Sequence, residues 1–271
     1  MAYERKVERA HPALIAMILD DSGSMSSGLP GSNDPRFQWV ERYSGVILKE
    51  LLARCMEVSG ETPTVKPRYY LDVIKYGTTV ETWQTGSDAN EEIDIGTAAK
   101  KFTDNGNLGL GASLGGTDTA AAFQFALTRL EKALQKERFQ NSFPPIVFHL
   151  TDGESHTDAE PIAQQMMNLS SSDGSVLIVN GYIGTSTQLS YKGPNDFPGY
   201  LTEQEIGNNP DNLRLFRMSS VMPSTMRANL VNDGIFPSIR ENARLFFDVR
   251  TKDMLQHVIQ VVGSGGSRVA R

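Results

Sequence analysis

Short apolar runs recur between longer stretches of helical periodicity, and this alternation limits the chain to a few architectures. The runs are Leu14 to Leu19, Tyr69 to Lys75, Ile146 to Leu150, Val176 to Ile183 and Leu245 to Val249. Each has the length and the β-branched or aromatic content of a strand. Between them, Phe37 to Val58 carries Trp39, Val40, Tyr43, Val46, Ile47, Leu51 and Leu52 as a broad apolar stripe at helical spacing. Thr119 to Lys136 repeats the pattern in Ala and Leu. Glu160 to Leu169 follows Asp158 as a candidate N-cap, with Pro161 near the first helical position. Lys252 to Val262 is the last helical segment. Strands alternating with helices predict an α/β fold with a doubly wound, mostly parallel central sheet and helices on both faces. Thr79 to Trp83 follows its predecessor across Tyr76-Gly77-Thr78, a spacing that predicts a hairpin and an antiparallel edge strand. No repeat or linker divides the chain. It reads as a lead over 1–12, one domain over 13–262 with an elaborated polar loop at 185–212, and a flexible tail over 263–271.

Composition narrows the function. The 271 residues carry a net charge of −6, and no run of Lys and Arg suggests a surface that could displace counterions from nucleic acid. The apolar run from Ala13 to Leu19 is too short for a membrane span, which needs ~20 residues. It is followed by acidic and polar residues rather than a small-residue cleavage site, so no signal peptide is read. Cys55 is the single cysteine, beside Leu51, Leu52 and Met56, and is expected to be a buried structural thiol. Together these features point to a cytoplasmic protein without membrane insertion.

The first apolar run ends directly in Asp20-Asp21-Ser22-Gly23-Ser24. A buried strand that breaks into a carboxylate and two hydroxyls sets hard oxygen donors at the carboxyl edge of the sheet, where open α/β folds bind ligands. Gly23 is expected to let the backbone turn so that Ser22 and Ser24 converge, while Asp21 reads as a solvated turn residue. Gly115-Gly116-Thr117 precedes the Ala-rich helix, and Thr151-Asp152-Gly153-Glu154 ends the strand at Ile146 to Leu150. Oxygen donors without His or Cys suit a hard cation, Mg²⁺ above all, with Ca²⁺ or Mn²⁺ possible. Zinc is disfavoured, because no convergent His/Cys set is visible. Glu154 reads as a helix cap or as a group behind the ligands.

Asp-x-Ser-x-Ser after a strand, a Thr in a Gly-Gly-Thr loop and Thr-Asp-Gly after a later strand resemble the metal-ion-dependent adhesion site of von Willebrand factor A domains. Asp20, Ser22, Ser24, Thr117 and Asp152 match its five positions in order, and the resemblance spans roughly Ala13 to Val262. It implies that Ser22 and Ser24 ligate the metal directly, and that Thr117 does so directly or through water. Asp20 and Asp152 would act largely through water or hydrogen bonds, and a protein partner's Asp or Glu would complete the shell. It further implies a non-enzymatic recognition module, since the motif poises no general base. The chain is similar to bacterial intracellular members found with tellurium-resistance or stress systems and MoxR-type ATPases, which act as adaptors or regulators. The alternatives are an extracellular adhesin with the same site and a metal-dependent phosphohydrolase.

Other signals are weaker. Gly106 to Gly116 holds five glycines but lacks the Lys-Ser/Thr pair of a P-loop, so it reads as a flexible approach to Thr117. His149 lies inside a predicted strand as a core imidazole, and His156 reads as a surface loop residue. Tyr191, Lys192, Phe197, Tyr200 and Glu203, in the polar stretch that follows a predicted parallel strand, could frame a docking surface for the partner.

Overall fold

The computed structural model describes residues 3–29, 32–59, 62–84, 91–184 and 187–264. In chain order the elements begin with β1 (Ala13–Asp20), a 3₁₀ turn (Gly23–Ser26), α1 (Arg36–Cys55), β2 (Met56–Ser59), β3 (Thr62–Val65), β4 (Tyr69–Tyr76), β5 (Val80–Thr82) and β6 (Ile93–Asp94). Next come α2 (Ile95–Asn105), α3 (Thr119–Leu134), α4 (Glu137–Gln140), β7 (Ile146–Thr151), α5 (Glu160–Asn168), β8 (Ser170–Ser171), β9 (Gly174–Ser175) and β10 (Leu177–Tyr182). The chain then passes through α6 (Glu203–Ile206), α7 (Pro210–Arg217), α8 (Ser224–Asn232), β11 (Phe246–Asp248) and α9 (Lys252–Ser264).

The main sheet runs β11-β10-β7-β1-β4-β5, with β6 also paired to β4. The pairs among β11, β10, β7, β1 and β4 are parallel, whereas β5 and β6 lie antiparallel on the edge of β4. This is the predicted doubly wound sheet with its antiparallel edge hairpin. Every residue of β1 is buried, because both faces are covered. Ile15, Met17 and Leu19 join α1, α2 and α9 in one core, while Leu14, Ala16 and Ile18 join α3 and α5 in the other. Period-two side chains therefore feed two cores, which is why a central parallel strand reads as continuously apolar.

Four segments differ from the sequence reading. The helix expected through Val58 ends at Cys55, because Met56 takes extended torsions and pairs with Val65 in a short hairpin. Cys55 itself is buried, and its Sγ accepts a hydrogen bond from Arg68 N at 3.4 Å. The stretch 185–212, read as loop, holds α6 and the start of α7. Residues 3–5 are tied down by backbone N–H bonds from Tyr3, Glu4 and Arg5 to Asp173. Of the tail read over 263–271, Gly263 and Ser264 belong to α9, and the rest lies outside the described residues. Among the described residues no helix is long and apolar enough to cross a membrane.

Candidate metal centre

β1 lies between β4 and β7, where the winding of the sheet reverses, and its last residue stands at the carboxyl edge of that crevice. Asp20 is fully buried there. Its Oδ1 accepts a hydrogen bond from Ser22 N at 2.9 Å, and its Oδ2 accepts one from Thr151 Oγ1 at 2.6 Å. Burial pushes the Asp20 carboxyl up to about 6; hydrogen bonds from Ser22 and Thr151 oppose the rise, and the Asp152 charge adds to it. Ser22 Oγ and Ser24 Oγ lie 3.1 Å apart, so the two hydroxyls do converge. The Thr151 hydroxyl also accepts from Gly153 N at 3.0 Å, which folds the Thr-Asp-Gly turn back onto the strand end. That turn requires glycine: Gly153 has φ +93°, and a Cβ there would meet the Tyr182 ring at 2.9 Å.

Backbone bonds fasten the three loops to one another. Gly23 N donates to Gly115 O at 2.7 Å, and Leu114 N donates to Asp21 O at 3.0 Å. His156 N donates to Thr117 O at 3.1 Å, joining the Thr117 loop to the turn that bears Asp152. Asp118 caps α3 through Ala121 N and also accepts from Thr157 Oγ1 at 2.9 Å. Thr117 is thereby held, buried, at the start of α3. The structure thus brings Asp20, Ser22, Ser24, Thr117 and Asp152 to one sheet edge on three joined loops.

Several readings need correction. Asp21 is not a solvated turn residue. It is fully buried, and its carboxylate accepts from Gly111 N at 2.7 Å, Ala112 N at 2.6 Å and Ser113 Oγ at 3.2 Å. Glu41 on α1 accepts from Leu108 N and Leu110 N, so the glycine-rich approach to Thr117 is pinned rather than flexible. Gly23, by contrast, opens the 3₁₀ turn as expected, close to Gly115 and without left-handed torsions. Phe197 and Tyr200 are fully buried, and Tyr191 packs on Phe197 with ring centroids 4.9 Å apart, so these three rings form core instead of a docking face. Glu154 is exposed, and so is His156, as its reading as a surface loop residue expects.

One site residue gave no sequence signal. Arg36, the first residue of α1, donates from Nη1 to Asp152 Oδ2 at 2.7 Å, across 116 positions of chain. Asp152 Oδ1 is buried and has no hydrogen-bond partner among the described residues. A buried carboxylate oxygen without a partner carries an uncompensated desolvation cost, and a cation held among these oxygens would relieve it. Among the described residues no group of three or more His, Cys, Asp or Glu side chains gathers. The donors are two carboxylates and three hydroxyls, a set that fits a hard divalent cation.

His149 lies deeper in the sheet, with both nitrogens engaged. Asn180 Nδ2 donates to Ser219 Oγ and Leu215 O, so its Oδ1 faces His149 and must accept from Nδ1–H at 2.8 Å. Nε2 then accepts from the Tyr76 hydroxyl at 2.7 Å. Burial pulls this imidazole down to about 4, the Asn180 bond opposing, so it is neutral at physiological pH.

No protein-family model and no curated protein matches the sequence. Solved structures match in fold. The PilB minor pilin from Streptococcus sanguinis superposes with a TM-score of 0.52 at 11% identity, over 92% of this chain and 60% of the pilin. Proximal thread matrix protein 1 from the mussel byssus, with a zinc-occupied MIDAS motif, gives 0.50 at 12% identity, over 96% of this chain and 48% of that one. A von Willebrand factor type A protein from Catenulispora acidiphila gives 0.43 at 16% identity, over 64% and 34% of the two chains. The chain spans 48% and 60% of the lengths of the first two proteins it resembles. At these identities the likeness is one of fold alone, a mostly parallel α/β sheet.

Proposed function

We propose that this domain is a metal-dependent recognition module that takes an Asp or Glu of a protein partner through a divalent cation. Ser22, Ser24 and Thr117 would hold the ion, with Asp20 and Asp152 behind them. The bound metal would supply an electron-poor centre for the incoming carboxylate, since three of the five donor side chains are neutral. The observation that carries this reading is that the three loops bearing these five oxygen side chains are hydrogen-bonded to one another at one sheet edge, with Asp152 Oδ1 buried there and without a hydrogen-bond partner among the described residues. Recognition is favoured over turnover because the buried histidine beneath the site has both nitrogens committed and is held neutral by burial.

Mg²⁺ is the first candidate metal. The zinc-occupied motif of the mussel protein adds Zn²⁺ to the ions worth testing, although this donor set lacks the nitrogen and sulfur that zinc prefers. Two settings compete. The single buried cysteine supports an intracellular adaptor; the likeness to a pilin and a byssal matrix protein favours an extracellular adhesive role.

Calorimetry with Mg²⁺, Mn²⁺ and Zn²⁺ on wild type and on Ser22→Ala/Ser24→Ala tests the site. The expected result is one ion per chain, with affinity lost in the folded double variant. Equal heats from both proteins up to millimolar metal would leave the loops as turns and overturn the reading.

A further inference from the structure

We infer that Arg36 is a resident cation that lowers the affinity of this site for its metal, an inference that rests on the recognition reading above. Arg36 is placed by the same segment that carries the serine hydroxyls. Its backbone N–H donates to Ser27 O at 2.9 Å, immediately after the 3₁₀ turn that follows Ser22. Gly28 and Pro35 form an antiparallel bridge that closes the intervening loop. The guanidinium is therefore part of the centre's construction.

The pairing is close and largely dry. Nη1 lies 2.7 Å from Asp152 Oδ2, with side-chain exposures of 20% for Arg36 and 2% for Asp152. At that distance and burial a charge-assisted bond is strong, because little water screens it. The pair is nonetheless incomplete on both sides. Arg36 Nε and Asp152 Oδ1 are each buried without a hydrogen-bond partner among the described residues. Asp152 thus offers one oxygen to Arg36 and keeps the other free.

The charge balance gives the direction. Asp20 and Asp152 bring two negative charges when ionised, and Arg36 returns one positive charge beside them. A divalent cation entering this set meets a fixed like charge and a carboxylate already half compensated. Neighbouring unit charges shift a carboxylate's proton affinity by about one to three powers of ten. Metal affinity should respond in the same sense when Arg36 is neutralised, by about tenfold at the low end of that range. The rival account, in which Arg36 merely orients Asp152 for the metal, predicts the opposite sign.

The test is Mn²⁺ binding, followed by calorimetry and by the loss of the free-ion paramagnetic resonance signal. Arg36→Met removes the charge and keeps the apolar stem; Arg36→Gln removes it but can still donate to Asp152; Arg36→Lys keeps the charge. Urea midpoints verify that each variant is folded. Both neutral variants should bind Mn²⁺ about tenfold tighter than wild type, with Arg36→Lys near wild type. Neutral variants that bind equally or more weakly, while wild type binds, would overturn the role of Arg36 and leave the metal site standing. Silence from wild type and all variants at millimolar Mn²⁺ would overturn the recognition reading and this inference together. Binding by the neutral variants alone would support both.

Discussion

Asp20 and His149 stand on neighbouring strands and titrate against each other. Burial raises the Asp20 carboxyl to about 6 from 3.8, and it lowers the His149 imidazole to about 4 from 6.5. Between pH 6.5 and 4 the unfolded chain binds more protons at the histidine and fewer at the aspartate. The His149 contribution is complete above pH 6.5 and is lost as pH falls through about 4. The Asp20 contribution is complete below pH 3.8 and is lost as pH rises through about 6. Each amounts to on the order of 3 kcal/mol at ~1.4 kcal/mol per pH unit, so on acidification the two nearly offset. Asp20→Asn removes one side of that balance. Urea unfolding of the chelator-treated protein at pH 7 and pH 4 should show Asp20→Asn losing about 3 kcal/mol more than wild type on acidification. Parallel losses would mean that Asp20 titrates as an ordinary carboxylate.

Between single residues and the whole fold lies the segment from α2 to α3, whose shape depends on carboxylates from elsewhere. Asp21 holds the backbone at Gly111 and Ala112, and Glu41 holds Leu108 and Leu110. Ala112 sits at φ +52°, a left-handed conformation that a non-glycine residue keeps only when its surroundings enforce it. Removing the acceptor in Asp21→Ala leaves backbone donors unpaired, at about 1–3 kcal/mol each and less than additively. The expected outcome is a stability loss of about 3 kcal/mol, with hydrogen exchange accelerated first at Gly111 and Ala112 and weaker Mg²⁺ binding as Thr117 loosens. Global exchange without a local change would contradict the pinning role. The parallel strands of the main sheet were legible because each is an apolar run bounded by turn residues, and β5 because it alternates after a tight turn, whereas the two residues of β6 form no such run. Asp20, Ser22, Ser24, Thr117 and Asp152 stood out as candidates because they stand beside strand and helix ends. Asp21 and Arg36 were not legible, since their partners lie 90 to 92 and 116 positions away in sequence. The helix α2 carried local signals that apolar periodicity alone passes over: an Asp94 cap and Gly106 in a left-handed C-cap. Met56 and Val58 continue the apolar pattern of α1, yet pairing with Thr62–Val65 claims them for a strand, a tertiary choice that overrides periodicity.

Across the whole molecule, the polar stretch beyond β10 is fastened to the end of the chain. Asp248, at the carboxyl end of β11, accepts from Arg250 Nε at 2.7 Å and from Thr187 Oγ1, while the Tyr191 hydroxyl donates to Asp248 O. Arg250 Nη2 reaches Leu189 O at 2.7 Å, and its guanidinium lies 4.6 Å from the Tyr191 ring centroid. Inside this polar belt Phe197 packs against Tyr200, Phe236 and Phe247, with ring centroids 5.6 to 5.8 Å apart. Composition marks the segment as loop because its Gly, Pro and Asn outnumber its apolar residues; a few aromatic anchors nevertheless make it core. Truncating a buried phenylalanine costs about 3–5 kcal/mol, whereas a change at an exposed residue such as Lys192 stays within about 0.5 kcal/mol. Phe197→Ala should therefore lower the urea-derived stability by about 3–5 kcal/mol, while Lys192→Ala leaves it unchanged. The same Phe197→Ala protein, kept below its unfolding midpoint, should retain near wild-type Mg²⁺ affinity, because the metal loops draw their support from β1, β7 and α3. A stability change below about 0.5 kcal/mol would mean that the segment adds little to the core. A large loss of metal affinity in the folded variant would instead tie the aromatic cluster to the centre.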